Sequence, residues 1–341
     1  MRETVTRMTR RPLCDFFVAS CQNKGGTYRL RLYEDGEAEV LQRIPMPSPM
    51  YLQLEKNKLW AVLRAPFSDC AQSGVAAYDA TTGEQITDIF PTKGEIACHI
   101  AVDGDDVYCA NYISGSVIKL PDKLALHEGG SVDPVRQNAP HAHAVCFSPD
   151  RRFVLCCDLG LDTVFVYDRE LKPLAAAKVP SGAGARHLVF SKDGNLVYVM
   201  NEMGGSISVF SYHQGALTYV DTLPVLPPDF KGTGSGAAIK LSQSGERLYV
   251  TERATQSIIT LSVEGANLKI LARTDCKGKE PRDFTLLADG RFAVCCNQHE
   301  DTVTLFRISP EGIPTFLNQI RIPAPLCAVE TDDISHQRNI K

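Results

Sequence analysis

One strand-and-turn pattern recurs along this chain and limits its fold more than any other feature. Residues 184–210 (GARHLVFSKDGNLVYVMNEMGGSISVF) contain three short apolar runs separated by two tight turns. The runs are rich in β-branched and aromatic residues, which favours strands, and a glycine after aspartate suits the turn at 192–194. The same pattern returns at residues 97–120, 142–167, 236–261 and 281–306, and in weaker form at 16–32 and 49–78.

The copies are evenly spaced. When they are aligned on the residue that ends the second strand, the seven markers are Ser20, Leu63, Asn111, Asp158, Asn201, Glu252 and Asn297. Neighbouring markers are 43 to 51 residues apart. A period of roughly 40–50 residues, with about four strands in each unit, is typical of a β-propeller. The sequence therefore predicts an all-β, seven-bladed β-propeller of four-stranded blades, in which segments such as 217–223 and 268–273 supply the fourth strands.

The first copy lacks an inner strand, and the other end of the chain can supply it. Residues 324–330 form a short apolar run near the C-terminus. Pairing this run with the first copy would close the ring with strands from both ends and leave no exposed sheet edge. We expect one domain over residues 14–331, between a flexible N-terminal leader (1–13) and a C-terminal tail (332–341). A pair of β-sandwiches is the main alternative, but the sequence contains no candidate linker.

Composition argues against some partners and locations for this protein. The formal net charge is −4 and no basic stripe is visible, so nucleic acid is not an expected partner. The basic N-terminal stretch lacks the apolar core of a secretory signal, and no run approaches the ~18 apolar residues of a membrane span.

The twelve cysteines include two adjacent pairs, Cys156-Cys157 and Cys295-Cys296. Neighbours on a strand point to opposite faces of the sheet, so the members of a pair cannot easily bridge each other. We interpret the cysteines as reduced core residues, which implies a cytoplasmic protein. No cysteine or histidine spacing suggests a metal site.

Polar residues recur at two positions of the repeat. The first position lies 15 residues before the marker, at the start of the inner strand, and it holds His143, Arg186, Ala237 and Arg282, with Cys98 in the shortened copy. The second follows the marker directly and holds Arg64, Tyr112, Leu159, Glu202, Arg253 and Gln298. In an antiparallel pair, the start of one strand and the end of the next lie at the same edge of the sheet. Both sets should therefore face the same mouth of the central channel.

These side chains suit the attack of water on an acyl carbon, which needs a base to activate the water and donors for the developing oxyanion. Glu202 beside Arg186 would stay ionised and could accept the proton, while His143 is the rival base, or the acid for the leaving oxygen. Arg186, Arg253 and Arg282 could clamp a carboxylate, a phosphate or the oxyanion. The chain has no GxSxG motif, which favours direct attack by water over an acyl-enzyme.

Structural roles are open for some of the same residues. Glu202 and Arg186 could be an ion pair that joins two strands. Arg282 directly precedes Asp283, so a local structural pair is an alternative to ligand binding there.

Several histidines also have structural interpretations. His99 and His187 share one position of the repeat, and this recurrence favours a hydrogen bond to backbone between blades. His141 and Asp158 fit best as supports that orient His143 or its strand.

The blade motifs resemble those of a known family. The segments HAHAVCFSPDRRFVLCCDLGLDTVFVYD, GARHLVFSKDGNLVYVMNE, RLYVTERATQSI and PRDFTLLADGRFAVCCNQ are similar to successive blades of the seven-bladed propeller lactonases. That family includes the propeller-type 6-phosphogluconolactonases and a fungal carboxymuconate cyclase. The resemblance covers residues 16 to about 330.

The resemblance implies a set of site residues. Matching the family motifs HxH, GxRH and NE assigns catalytic roles to His143, Arg186 and Glu202, and the NR motif assigns one to Arg253, where Glu252 replaces the usual asparagine. The further candidates for substrate binding are Arg282, Arg64, His141, Asp158 and Gln298.

The resemblance also implies an activity. Its best specific case is hydrolysis of 6-phospho-D-glucono-1,5-lactone in the pentose phosphate pathway, without a cofactor and with a small lactone as the only expected partner. A cyclase, or a hydrolase of an unphosphorylated lactone, is the alternative within the family. A non-catalytic propeller that binds partners is the alternative outside it, although the copies lack the Gly-His and Trp-Asp pairs of WD repeats and the chain has one Trp. The sequence leaves the oligomeric state open.

Overall fold

The chain forms a seven-bladed β-propeller in the computed structural model, which describes residues 10–22 and 25–331. Each blade is a four-stranded antiparallel sheet. Every regular element in the described ranges is a strand, and accordingly these ranges contain no helix that is long and apolar enough to cross a membrane.

The blades follow one another along the chain. Blade 1 contains β1 (Pro12–Ser20), β2 (Gly26–Tyr33), β3 (Ala38–Ile44) and the C-terminal β28 (Pro325–Glu330). Blade 2 contains β4 (Pro49–Glu55), β5 (Lys58–Leu63), β6 (Gln72–Asp79) and β7 (Phe90–Glu95). Blade 3 contains β8 (Ala97–Asp103), β9 (Asp106–Asn111), β10 (Ser116–Lys119) and β11 (Lys123–Leu126). Blade 4 contains β12 (Ala142–Phe147), β13 (Phe153–Asp158), β14 (Thr163–Asp168) and β15 (Pro173–Lys178).

The last three blades have the same order of strands. Blade 5 contains β16 (Ala185–Phe190), β17 (Leu196–Asn201), β18 (Ser206–His213) and β19 (Ala216–Pro224). Blade 6 contains β20 (Gly236–Leu241), β21 (Arg247–Glu252), β22 (Ser257–Glu264) and β23 (Asn267–Asp275). Blade 7 contains β24 (Pro281–Leu287), β25 (Phe292–Asn297), β26 (Thr302–Ile308) and β27 (Pro314–Arg321).

The ring closes within blade 1, as the sequence predicts. β28 is the inner strand of this blade and pairs antiparallel with β1, with Phe16 opposite Glu330 and Val18 opposite Ala328. The inner strands β28, β4, β8, β12, β16, β20 and β24 contact one another in that cyclic order. β1 begins at Pro12, two residues before the expected start of the domain. Residues 1–9 of the predicted leader and the predicted tail, 332–341, lie outside the described residues.

The core consists of seven apolar clusters, each enclosed between two neighbouring blades. Both faces of a blade are therefore buried, which explains why its middle strands are continuously apolar. Cys156 packs between blades 3 and 4, whereas its neighbour Cys157 packs between blades 4 and 5. All twelve cysteines are free thiols, in agreement with the prediction that adjacent cysteines occupy opposite faces.

Near the start of every inner strand, the pairing skips a residue. In β12, Ala142 pairs with Asp158 and Ala144 with Cys157, so that His143 is bypassed as a β-bulge. The bypassed residues of the seven inner strands are Met50, Cys98, His143, Arg186, Ala237 with Ala238, Arg282 and Leu326. A bulge bends its strand and re-aims a side chain. Six of these residues line the central channel.

Candidate active site

A cavity of about 370 Å³ occupies the mouth of the channel at which the inner strands begin, which we call the upper mouth. Its wall combines bulge residues of the inner strands with residues that directly follow the second strands. The lining residues are Cys21, Met50, Arg64, Ile96, Cys98, Tyr112, Ile113, Arg136, His143, Glu202, Ser235, Arg253, Arg282, Gln298 and Leu326. Four arginines face one glutamate in this set, so the upper mouth is a charged pocket rather than the wide apolar groove expected of a peptide-binding propeller.

Glu202 lies at the centre of an arginine cluster. Its Oε1 accepts a hydrogen bond from Arg136 Nη2 at 2.6 Å. Its Oε2 accepts one from Arg186 Nε at 3.0 Å and lies 3.1 Å from Arg253 Nη2. The side chains of Glu202 and Arg186 are 7% and 2% exposed, so this ion pair is shielded from water. Both carboxylate oxygens are therefore occupied by guanidinium groups.

The cluster lowers the pKa of both Glu202 and Arg186, but for different reasons. Burial would raise the pKa of Glu202, but the charges of Arg253 and Arg186 outweigh burial and hold this pKa well below its ordinary value. Burial and repulsion by Arg253 lower the pKa of Arg186 to about 10, partly offset by Glu202. Glu202 and Arg186 therefore both remain charged near pH 7. Across the part of the chain that the structure describes, no three His, Cys, Asp or Glu side chains are grouped so that they could hold a metal ion.

Backbone carbonyls fix the orientation of two arginines. Arg186 Nη1 donates to the carbonyl of Ala237 at 2.7 Å. Arg253 Nε donates to the carbonyl of Ser235 at 3.0 Å, and Arg253 Nη1 donates to Glu280 Oε1 at 2.9 Å. These contacts leave little rotamer freedom at either guanidinium group, which is the preorganisation that stabilises developing charge most effectively.

His143 lies in the same cavity as a neutral base. Burial and the charge of Arg186 lower its pKa well below 6.5, with Glu202 opposing the shift. Its Nδ1 is 3.9 Å from Cys98 Sγ, and that thiol donates to the His143 carbonyl at 3.1 Å. Among the described residues, His143 Nε2 has no hydrogen-bond partner, so it can accept a proton when the neutral ring carries its own proton on Nδ1.

Arg64 and Arg282 differ from the other arginines of the cavity. Within residues 10–22 and 25–331, neither has a carboxylate partner. Arg282 Nη1 donates one long hydrogen bond, 3.4 Å, to Gln298 Oε1. The alternative of a local pair between Arg282 and Asp283 is wrong, because Asp283 instead faces Lys240, with Oδ1 3.6 Å from Nζ. Both guanidinium groups are therefore available to an anionic ligand.

Arg136 is a site residue that sequence reasoning missed. It belongs to the loop of residues 127–141 between β11 and β12, outside the repeated motif, and 66 positions separate it from Glu202. Gln137 holds this loop by donating to Leu159 O and to Asp162 Oδ1, each at 2.8 Å. Asp162 also accepts the backbone N–H of Gly184 at 2.6 Å, so one carboxylate fixes both the loop and the start of β16. The sequence signal that could have indicated Arg136 was the unusual length of this loop, which passes the upper mouth.

His141 and Asp158 do not reach the cavity, in contrast to their assignment as substrate-binding candidates. Asp158 is fully buried, where its carboxylate accepts the backbone N–H of His141 at 2.8 Å and contacts His127 Nδ1 at 2.5 Å. The His141 ring stacks on Tyr112, with ring centroids 4.4 Å apart, and its Nδ1 donates to the Tyr112 carbonyl at 3.0 Å. Both residues support the strand of His143 from outside the cavity, as the alternative interpretation expects.

Two members of the repeated positions also lie outside the lining. Leu159 is fully buried, and Ala237 contributes its carbonyl rather than a side chain. Glu252, which replaces asparagine, accepts the backbone N–H groups of Ser235 and Ala254 through Oε1 at 2.7 and 3.0 Å, while its buried Oε2 has no hydrogen-bond partner. Burial therefore raises the pKa of Glu252. Glu252 thus holds the turn that carries Arg253, whose guanidinium group contacts Glu202.

Comparison with known proteins agrees with this fold. A family model described as Lactonase, 7-bladed beta-propeller matches residues 15–330. The 6-phosphogluconolactonase of Bacillus subtilis is 29% identical over 340 residues, covering 89% of this chain and 95% of that protein. The uncharacterized protein YwcC of Lactococcus lactis is 32% identical over 282 residues, covering 76% of this chain and 80% of the relative.

A solved structure has the same architecture. The periplasmic gluconolactonase PpgL of Pseudomonas aeruginosa superimposes with a TM-score of 0.84 at 27% sequence identity, and the match covers 94% of this chain and 99% of the other.

Proposed function

Because this chain belongs to the seven-bladed β-propeller lactonases, we propose that its upper mouth hydrolyses 6-phospho-D-glucono-1,5-lactone to 6-phosphogluconate. One observation carries the proposal. The cavity that holds the neutral His143 also presents Arg64 and Arg282, two cationic side chains without a carboxylate partner in the described chain. A phosphorylated lactone needs both a base and a separate site for its anionic group.

His143 is the better of the two candidate bases. Arg136, Arg186 and Arg253 occupy both oxygens of Glu202 and stabilise its ionised form. A carboxylate held in this way has little affinity for a further proton. Glu202 is therefore assigned as a positioning residue that fixes three guanidinium groups, and the proton of water passes to His143.

The reaction then proceeds in two steps. A water O–H bond breaks as its proton moves to His143 Nε2, and the oxygen forms a bond to the lactone carbonyl carbon. The carbonyl oxygen becomes an oxyanion, which Arg186 and Arg253 stabilise as forked, fixed donors. The oxyanion then collapses and breaks the ring C–O bond, and His143 returns its proton to the ring oxygen, which leaves an open-chain hydroxy acid.

Arg64 and Arg282 are proposed to hold the phosphate. Burial raises the pKa of Cys21, while the charges of Arg282 and Arg64 oppose this shift. Both guanidinium groups therefore act on the same thiol, at one end of the cavity. Two cations without an internal counter-ion favour a doubly charged group at this end of the cavity.

The test compares two substrates in two kinds of variant. Hydrolysis of 6-phosphogluconolactone and of glucono-1,5-lactone is measured after subtraction of the spontaneous rate. We expect Arg64→Ala and Arg282→Ala to raise KM for the phosphorylated lactone at least tenfold while changing KM for the other less than threefold. Equal kcat/KM of the wild-type protein for both lactones would contradict a phosphate site.

A second measurement tests the base. We expect His143→Ala to reduce kcat by about 10²–10⁴-fold and added imidazole to restore part of the rate. Full activity of this variant would exclude His143 as the base.

Hydrolysis of an unphosphorylated lactone is the second candidate, and the likeness to the Pseudomonas gluconolactonase favours it. The two candidate activities also differ in the cellular compartment in which they would take place, since the Pseudomonas gluconolactonase is periplasmic. The pentose phosphate pathway is cytoplasmic, and we propose that compartment for this chain because its twelve cysteines are all free thiols, most of them buried.

A further inference from the structure

The channel has a second cavity at its opposite end, which we call the lower mouth. Its volume is about 380 Å³, and residues further along the same inner strands form its wall. The lining residues are Tyr51, His99, Ala144, Cys146, His187, Leu188, Val189, Ile239, Lys240, Leu241, Thr285 and Leu286. The lactone chemistry proposed above uses none of these side chains.

A narrow waist separates the two mouths. Its volume is only about 10 Å³, and its wall includes Tyr51, His143, Arg186, His187 and Asp283. A space of this size admits about one water molecule. A ligand in the lower mouth therefore occupies a site of its own and cannot be a substrate that has passed through from above.

Two histidine rings, those of His99 and His187, line the lower mouth. His99 Nδ1 accepts the backbone N–H of Val145 at 3.5 Å, so its proton is on Nε2. His187 Nε2 accepts Arg186 Nη1 at 3.3 Å, so its proton is on Nδ1. Among the described residues, the remaining N–H group of His187 has no hydrogen-bond partner, whereas His99 also forms a backbone hydrogen bond with Ile100. Burial lowers the pKa of His99 to about 3 and that of His187 well below 6.5, so both rings are neutral.

Lys240 adds a cation beside these rings. Its ammonium group lies 3.6 Å from Asp283 Oδ1, which is longer than a hydrogen bond, and its side chain remains 30% exposed. Asp283 is directed elsewhere, since its Oδ2 accepts the backbone N–H of Ala328 at 3.1 Å. The ammonium group can therefore donate to a ligand while Asp283 balances part of its charge.

Most of the remaining wall is apolar, although Tyr51 and Thr285 each carry a hydroxyl group. Leu188, Val189, Ile239, Leu241 and Leu286 face the same space, and the Tyr51 ring packs on His99 with centroids 4.2 Å apart. A small polar floor within apolar walls is typical of sites for small organic ligands. One cation that is partly balanced by a carboxylate suits a single negative charge better than a phosphate dianion.

From this arrangement we propose that the lower mouth binds a small monocarboxylate with an apolar body of about the size of benzoate. The carboxylate lies between Lys240 and the N–H group of His187, and the apolar body packs against the leucine and valine wall. The site is separate from the lactone site, so its test does not depend on lactonase activity.

The experiment is a ¹⁹F NMR titration of the full chain with 4-fluorobenzoate. We expect saturable binding to the wild-type protein, and binding at least tenfold weaker in Lys240→Met, which lacks the ammonium group. Val189→Phe fills the cavity but keeps the charge pair, and we expect the same loss. Arg64→Ala, at the upper mouth, is the matched control and should bind the probe as the wild type does. 4-Fluorobenzyl alcohol, which has the same ring without the charge, should bind at least tenfold more weakly.

Each result decides for or against the lower mouth. Equal dissociation constants in wild type and Val189→Phe would overturn the proposal, as would loss of binding in Arg64→Ala or the absence of saturable binding to wild type. If Lys240→Met fails to fold because Asp283 has lost its counter-ion, Val189→Phe and the neutral probe decide. Binding weakened by Val189→Phe together with weak binding of the alcohol supports the proposal.

Discussion

Replacing Glu202 by glutamine tests whether this residue positions arginines or acts as the base. The side chain keeps its size but loses the charge that Arg136, Arg186 and Arg253 share. Arg186 is 2% exposed and has no other carboxylate partner in the described chain. Arg253 retains Glu280, and Arg136 is 45% exposed. Most of the cost should therefore come from the buried charge of Arg186.

The expected loss of stability follows from these burials. Removing one partner of a buried ion pair costs about 3–5 kcal/mol. The carbonyl of Ala237 still accepts one hydrogen bond from Arg186, and exposure screens Arg136. We therefore expect Glu202→Gln to lower the free energy of unfolding by about 2–3 kcal/mol, with kcat reduced about 10²–10³-fold because the oxyanion donors lose their fixed positions.

Chemical denaturation and lactone hydrolysis from pH 5 to pH 8 are the assays. Glu280→Gln is the matched control, because Glu280 also contacts Arg253 but is 23% exposed. We expect it to cost about 1 kcal/mol or less. A Glu202→Gln protein as stable as wild type would refute the assignment of Glu202 as the anchor of the cluster. An unchanged stability of Glu202→Gln, together with rate rescue of Glu202→Ala by added formate, would identify Glu202 as the base instead.

Three further predictions concern pH dependence and the backbone. Folding lowers the pKa of His99 to about 3 and that of His187 well below 6.5. The contribution of these histidines to the free energy of unfolding is therefore complete above pH 6.5 and falls as the pH drops, by up to about 1.4 kcal/mol per pH unit for each histidine. His99→Gln should make this pH dependence less steep in thermal unfolding. The pKa of Glu252 is raised on folding, so stability is lost as pH rises above its unfolded value, and Glu252→Gln should gain stability over wild type between pH 4 and pH 7. Gly184 has φ +72° and its carbonyl accepts the Glu202 N–H, so Gly184→Ala should cost about 1–3 kcal/mol and reduce kcat. Gly194→Ala, at φ +75° in a turn away from the upper mouth, should cost similar stability with kcat unchanged.

The upper mouth was partly predictable because the repeat is regular. Cys98, His143 and Arg282 occupy one position of the repeat, and Arg64, Glu202, Arg253 and Gln298 occupy another. Equivalent positions in a propeller have equivalent places around the channel, so counting from the markers brought these residues to one mouth. His141 and Asp158, which were candidates for substrate binding, instead support the strand of His143, because a matched motif does not say which way a side chain points.

Counting could not find the contacts made between different parts of the ring. Arg136 reaches Glu202 from a loop outside the repeat. Lys240 of blade 6 faces Asp283 of the neighbouring blade 7. These pairs depend on how far each long side chain extends and on how neighbouring inner strands converge. The local periodicity of the sequence predicts neither the reach of a side chain nor the distance between neighbouring inner strands.

The amino-acid sequence by itself determined the seven blades, their strand order and the closure by both ends of the chain. Apolar runs and turn residues act within a few positions, so each blade is encoded locally and its repetition is visible by inspection. Only the tertiary structure decided which side chains enter the channel, because bulges in the inner strands take residues out of the ladder and turn most of them inward. It also decided that Glu202 is surrounded by three arginines rather than one, since charges from separate blades meet only when the ring is closed.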